Sequence, residues 1–275
     1  MNYDPIKKTL GRLFNHSPFS RKVFYHLLDI LLLRTWHVHK ALRHFSRNKP
    51  AAGISVLDAG SGFGQYTYYL ARKHPEWIIL ALDVKTEEIE ACNVFFNQAG
   101  LSNTRFKVGD LTEFTQEKAF DLILSVDVME HIKDDKQVFR NFYKSLKDGG
   151  MLLISTPSDQ GGSDVHDPEQ ESFIGEHVRD GYGKQEIEEK LKHAGFGKII
   201  TQYTYGAPGK ISWRLSMKYP ILILGVSKWF LPLLPFYYLL VMPFSLLLNA
   251  MDVRQTHKTG TGLMVKAFKL NSDQL

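Results

Sequence analysis

From Ile54 onward, short apolar runs alternate with amphipathic stretches, and this alternation narrows the possible folds more than any other feature of the chain. "ISVLDAG", "WIILALDV", "TRFKVGD", "FDLILSV" and "GGMLLISTP" read as five strands. "QYTYYLARKH", "KTEEIEACNVFFNQAG" and "KQVFRNFYKSLKDGG" read as helices between them. Strands alternating with helices imply a parallel, doubly wound sheet with helices on both faces. Right-handed crossovers then place a ligand outside the carboxyl ends of the strands. "KQEIEEKLKHAGF" adds a helix, "GKIITQYTYG" a sixth strand and "GLMVKAFKL" a seventh. The expected fold class is therefore α/β, a mostly parallel seven-stranded sheet.

Two segments fall outside this rhythm. Residues 20–47 place Phe24, Leu28, Leu31, Val38, Leu42 and Phe45 at helical spacing, as one helix or two with a bend, and "RNKPAAG" follows as a linker. Between the sixth and seventh strands, "ILILGVSKWFLPLLPFYYLLVMPFSLLL" is the most apolar part of the chain. The expected organisation is an N-terminal helical extension over 1–50, a core over 51–206 plus 260–272, and an apolar helical insertion over 207–259.

Within the core, "VLDAGSGFGQ" carries the strongest signal. Asp58 closes the first strand, and Gly60, Gly62 and Gly64 follow at two-residue steps. Glycines there allow a tight turn and a close approach of ligand to backbone. The dinucleotide fingerprint requires a glycine where Gln65 stands, and no P-loop Lys-Ser/Thr is present. A carboxylate before the loop repels phosphate and suits an ammonium group; the alternative is that Asp58 caps the turn into the next helix. Asp83 ends the second strand, where acids bind ribose hydroxyls in nucleotide-binding sheets. Asp110 in "VGDL" is placed to accept from an adenine amino group, with Leu111 against the ring.

Together, "DAGSGFG", Asp83, "GDL", "FDLILSVDVMEHI", "LKDGGMLLISTP" and "EHVRDGYGKQEIEEKLKHAGF" resemble the class I S-adenosylmethionine-dependent methyltransferases over roughly residues 52–205 and the last strand. The resemblance implies a Rossmann-like methyltransferase fold and S-adenosyl-L-methionine as cofactor. It gives Asp58 with the loop of Gly60, Gly62 and Gly64 to the methionine end, Asp83 to the ribose, and Asp110 and Leu111 to the adenine, and it counts Ala59, Tyr66 and Val84 among the cofactor-binding residues. Val126 and Asp127 would face the methionyl end. In such enzymes, additions before the last strand and at the N-terminus build the lid over the substrate.

Methyl transfer asks the protein mainly to align a nucleophile. Where a general base is needed, histidine suits it, and His131, His166 and His177 are the candidates, each with a structural or solvent role as its alternative. No metal is expected: "HVH" at 37–39 with His44 has no acid or cysteine to complete a site, and Cys92 is the lone cysteine.

The acceptor follows from the insertion. One crossing of a bilayer would separate the last two strands, and Pro232, Pro235 and Pro243 interrupt the run. A helical hairpin dipping into one leaflet fits, with Trp213, Trp229, Tyr237 and Tyr238 at the interface; a buried lid or a homodimer contact is the alternative. Residues 1–50 hold ten Lys/Arg against Asp4 and Asp29, which suits an anionic membrane or, alternatively, a solvated face. The expected protein is cytoplasmic and peripheral or monotopic, acting on a hydrophobic small molecule, O-methylation first. No nucleic acid is expected as partner, since the insertion offers aliphatic surface where bases need stacking platforms. The rival readings are a nucleic-acid methyltransferase and a non-catalytic scaffold that keeps the cofactor site.

Overall fold

A computed structural model describes residues 17–47, 49–50, 52–161 and 178–271. Two helices open it, α1 (Pro18–Leu31) and α2 (Leu33–Arg47), divided at Leu32, whose backbone is extended. Ser17 caps α1, its hydroxyl accepting from the Ser20 N–H at 3.1 Å. The core follows as β1 (Ser55–Ala59), α3 (Gln65–Lys73), β2 (Ile78–Asp83), α4 (Thr86–Gln98), β3 (Thr104–Val108), β4 (Phe120–Val126), α5 (Asp135–Ser145), β5 (Leu146–Pro157), α6 (Lys184–His193) and β6 (Lys198–Thr204). The last strand is β7 (Gly262–Phe268).

The seven strands lie in the order β3-β2-β1-β4-β5-β7-β6. The first five run parallel, and β7 is antiparallel to both of its neighbours. The order reverses beside β1, so the switch point lies between the carboxyl ends of β1 and β4, where a doubly wound sheet binds ligands. The expected α/β class is thus the observed one. One boundary differs: "LKDG" begins β5 instead of ending α5, because Leu146 pairs with Phe120 before an irregularity realigns the register at Leu122 and Met151.

Strand side chains alternate between the two faces. Leu57 and Ala59 join Val138, Phe139 and Phe142 of α5 and Ile187 and Leu191 of α6. Val56 faces the other way, with Tyr66 and Leu70 of α3 and Val38, Leu42 and Phe45 of α2. Phe24 and Tyr25 of α1 pack with Phe95 and Phe96 of α4. The N-terminal helices are therefore built into one face of the sheet.

The insertion leaves the top of β6 and returns to the start of β7. It comprises α7 (Ala207–Trp213), a π-helical turn (Arg214–Lys218), α8 (Tyr219–Val226), a 3-10 segment (Lys228–Leu233) and α9 (Leu234–Arg254). Pro243 lies inside α9 without ending it.

Candidate functional site

The site begins with the turn after β1. Gly60 has φ +81°, and a Cβ there would stand 2.3 Å from Val128 Cγ2, so only glycine lets the loop close against Val128 in the turn after β4. The N–H groups of Gly60 and Ser61 both donate to the Leu82 carbonyl at 2.8 Å, which fixes the loop on the end of β2.

Asp58 is 2% exposed and accepts from the Thr67 hydroxyl at 2.6 Å, tying β1 to α3. Burial pushes its carboxyl up to about 6, against the hydrogen bonds from Thr67, and the charge of Asp83 adds to the rise. Asp83 sits at the mouth, its Oδ2 accepting from Gly62 N–H and its Oδ1 from Lys85 N–H, each at 2.9 Å. A carboxylate offers about four acceptor positions, so room remains for hydroxyls of a ribose. Val84 is exposed beside it.

Asp110 Oδ1 takes the N–H and the hydroxyl of Thr112 at 2.8 and 2.7 Å, holding the turn after β3. The Leu111 side chain is buried in the core with Leu82 and Met129, and Asn141 donates to its carbonyl at 2.9 Å. At this turn it is the Leu111 main chain that lies with Asp110. Ala59 is buried beneath the loop, and Val126 packs against the α2–α3 face of the core.

Asp127 follows β4 with φ +51°, its N–H donating to Ser155 at 2.8 Å. Glu130 is buried and accepts from the Thr156 hydroxyl at 3.1 Å, bracing the turn against β5. His131 ends the short 3-10 turn Met129–His131 on the same edge. His166 and His177 lie outside the described residues. The segment after His177 is anchored there: Arg179 and Lys190 both pair with Asp135, and the Tyr182 hydroxyl donates to the same carboxylate at 2.7 Å.

Several residues that carried no motif also reach this edge. Arg21 of α1 donates to the carbonyls of Ala91 and Phe63 at 2.8 and 2.9 Å, and Tyr25 also bonds Phe63 O, so α1 is clamped onto the glycine loop. Gln65 donates to Asp29 at 2.7 Å. Arg34 of α2 forms an ion pair with Asp127, and its N–H donates to the Tyr205 hydroxyl at 3.0 Å. Arg21 is thus buried, and the charge of Arg34 is met by Asp127; of the remaining cations, Lys7, Lys8 and Arg12 lie outside the described residues. Tyr66 is buried with its hydroxyl 3.4 Å from that of Thr35.

At the root of the insertion, buried Asp252 accepts from Gly209 N–H at 3.0 Å and Tyr205 N–H at 3.2 Å. His37 and His257 stand 2.8 and 3.2 Å from its two oxygens. His37 therefore faces Asp252, whereas His39 stacks on Tyr69 at 3.7 Å.

The Arg34 and Asp252 contacts join residues 93 and 215 positions apart, with Arg34 set against Asp127 and His37 against Asp252. Such pairs leave no short-range spacing to read. The one sequence signal was the positive cluster of the N-terminal extension, whose charges turned out to be partly internal.

A family model described as a methyltransferase domain matches residues 50–200. Phosphoethanolamine N-methyltransferase 1 of Triticum aestivum is 31% identical over 173 residues, covering 55% of this chain and 30% of its own length. The malonyl-[acyl-carrier protein] O-methyltransferase of Priestia megaterium is 30% identical over 118 residues, covering 43% and 42%. The chain thus spans less than half the length of these curated relatives. Among solved structures, Haemonchus contortus phosphoethanolamine N-methyltransferase 2, in complex with phosphomonomethylethanolamine and S-adenosylhomocysteine, matches with a TM-score of 0.59 at 21% identity, over 85% of this chain and 53% of that one. That likeness carries the fold, and the family model covers more than half of the sequence: the chain belongs to the methyltransferase-domain family.

Proposed function

We propose that the protein transfers the methyl group of S-adenosyl-L-methionine to a hydrophobic small molecule drawn from a membrane surface, with an oxygen as the first-choice acceptor atom. The residues present fit the cofactor: a glycine turn closed against Val128, Asp83 at the end of β2 and Asp110 at the end of β3 stand on one edge of the sheet. The sulfonium supplies an already activated methyl group. The chain's own part is to orient the acceptor, exclude water and, for a hydroxyl acceptor, hold a proton acceptor nearby, with His131 the described candidate.

One observation supports the membrane part of this reading. Among the residues of 207–254 whose side chains are described, the buried ones are Gly209, Ser212, Ser216, Pro220, Ser245, Asn249 and Asp252. The Ser212 hydroxyl donates to Ser245 O at 3.1 Å, Tyr237 to Leu215 O at 2.6 Å and Tyr238 to Ser216 O at 3.0 Å, so α7 and the π-helical turn lie antiparallel along α9. The large apolar side chains point outward: Trp229 is 91% exposed, Leu239 74% and Phe244 67%. This is the reverse of a water-soluble hairpin. Small residues and polar bonds at the seam with apolar side chains outside is how helices pair in lipid, where burying leucine against leucine gains little.

In water, each such side chain forgoes about 1.5–3 kcal/mol available from burial. Sixteen exposed large apolar side chains on one hairpin make an apolar face that requires a partner. By length and composition alone, Trp229–Arg254 is apolar enough to cross a bilayer. Both ends of the insertion, however, join strands paired at Thr204 and Gly262, which favours entry into and exit from one leaflet. The helix α1 adds a second outward stripe, Phe19, Val23, Leu27 and Ile30, at helical spacing. Rooted through Asp252 beside Tyr205 and Arg34, the hairpin stands over the carboxyl edge, where an acceptor leaving the membrane would arrive.

The test is transfer of labelled methyl from S-adenosyl-L-methionine into a cell extract containing its membranes, followed by partition between organic solvent and water. Label in the organic phase is the expected result. Label confined to nucleic acid or protein would overturn the acceptor class, and no binding of S-adenosylhomocysteine would overturn the cofactor.

A further inference from the structure

Between residues 207 and 254 the insertion holds five cations, Lys210, Arg214, Lys218, Lys228 and Arg254, and one acid, Asp252. Asp252 is buried, and Gly209, Tyr205, His37 and His257 meet its oxygens. The charge that the hairpin shows its surroundings is therefore positive. Lys210 and Arg214 stand four residues apart on α7 and its π-helical continuation, and Lys218 continues the line. The seam with α9 runs through Ser212 and Ser216. In a helix of 3.6 residues per turn, a residue two places from a seam residue points about 160° away from it. Each of the three cations is two places from Ser212 or Ser216, so together they line the edge turned away from α9.

The opposite edge belongs to α9. Phe236, Leu240 and Leu247 point away from the seam residue Ser245, and all three are exposed. Across the hairpin the surface thus runs from cations on one edge to apolar side chains on the other, the order in which a leaflet runs from phosphate to acyl chain. Length fixes how the hairpin lies. With 21 residues, α9 is about 30 Å long, twice the roughly 15 Å of hydrocarbon in one leaflet. Since both ends of the insertion join paired strands, the hairpin runs along the leaflet and not across it. Its irregular turn suits that solvent: the Leu215 and Ser216 carbonyls accept from the Tyr237 and Tyr238 hydroxyls at 2.6 and 3.0 Å, in place of water.

We propose that the hairpin lies along one leaflet with its α9 edge among the acyl chains, and that Lys210, Arg214 and Lys218 form a rail for the phosphates of anionic phospholipids. The inference rests on the membrane reading above and names the lipid class that reading leaves open. Each such cation near an anionic surface strengthens binding about fivefold. The aliphatic stems of these side chains cross apolar surface while their charges reach the phosphates. Beyond Lys218 the same edge turns apolar at Leu222 and Val226, so the tip goes deeper than the root. The root at Asp252, beside Tyr205, stays at the level of the phosphates and holds the carboxyl edge of the sheet against the membrane surface.

Flotation of the full chain with vesicles of phosphatidylcholine alone, and of phosphatidylcholine mixed with phosphatidylglycerol, tests this. At low salt, wild type should bind the mixed vesicles at least roughly thirtyfold more tightly, and high salt should shrink the difference. Lys210→Gln combined with Arg214→Gln should lose roughly thirtyfold on mixed vesicles and stay within about threefold of wild type on neutral ones. The charge-preserving pair Lys210→Arg with Arg214→Lys should behave as wild type. So should Lys136→Gln with Arg140→Gln, which removes two exposed cations from α5. Equal binding of wild type to both vesicles would overturn the rail. Selectivity kept by the Lys210 and Arg214 glutamine pair, or lost equally in the α5 pair, would overturn it too. No flotation of wild type with either vesicle would instead sink the membrane reading on which the rail stands.

Discussion

Two helices of this molecule, α5 and α9, face opposite ways. The helix α5 buries Val138, Phe139 and Phe142 against the sheet and sends Lys136, Arg140 and Lys144 toward water. In α9 the buried residues are Ser245, Asn249 and Asp252, while Phe236, Leu239, Leu240, Phe244, Leu247 and Met251 are exposed. The same hydrophobic effect that folds the core therefore does not fold the insertion against itself. The core is complete in water. The insertion is held by a polar seam and by its root at Asp252, and its large apolar side chains lie on the outside. A single chain can combine both because the insertion replaces only a loop, joining two strands whose pairing at Thr204 and Gly262 is unchanged by what lies between them.

The comparison can be broken most decisively at the outer face. Replacing Leu239, Leu240 and Phe244 together by serine removes three exposed apolar side chains, each worth about 1.5–3 kcal/mol on transfer from water. Binding to anionic phospholipid vesicles, followed by flotation, should fall at least roughly a hundredfold, while affinity for S-adenosylhomocysteine stays within about twofold because no core contact is touched. Unchanged flotation would return the insertion to a lid or a contact between copies, which sedimentation would reveal.

The converse change belongs to the core. In Gly60→Ala, the new Cβ meets Val128 Cγ2 at 2.3 Å with φ at +81°. The loop must open or Val128 must shift, at about 1–3 kcal/mol for overpacking plus the strain of the left-handed turn. Affinity for S-adenosylhomocysteine should drop roughly tenfold or more, with vesicle binding intact. Loss of both together would show that the two regions fold as one unit.

A smaller effect separates them by pH. Burial raises the Asp58 carboxyl from 3.8 to about 6. Between those values the folded state keeps a proton that the unfolded chain has released, so this group's contribution favours folding less as pH rises from 4 to 6, and its full cost is present above that. Asp58→Asn should be stabilised relative to wild type by on the order of 2–3 kcal/mol at pH 7.5 in the absence of ligand, with the gap closing toward pH 4. Denaturant melts at the two pH values measure it. Vesicle binding by the same variant should follow wild type at every pH.

Much of the fold was legible beforehand. Alternating runs such as "WIILALDV" and "KTEEIEACNVFFNQAG" have periods that backbone geometry imposes locally, and the acids at the strand ends stand next to the turns they serve. The position of the apolar run between the last two strands was likewise readable. Its facing was not: "FYYLLVMPFSLLLNAMD" is apolar nearly all round, and only the pairing of Ser245 with Ser212 and of Asp252 with Gly209 and Tyr205 reveals which stripe is inside. The charges of the N-terminal helices could be counted and not assigned, and Arg21 and Arg34 proved to be internal contacts of the site.

The sequence by itself determined the parallel core, the glycine turn and the acids at its edge, because each depends on a few neighbouring residues and on the sterics of the backbone. The tertiary structure alone decided that Arg34 meets Asp127, that His37 meets Asp252, and that α9 turns its polar stripe inward. Each of these is a choice among chemically equivalent partners, and only the packing of helices carried in from distant parts of the chain makes one of them close enough to act.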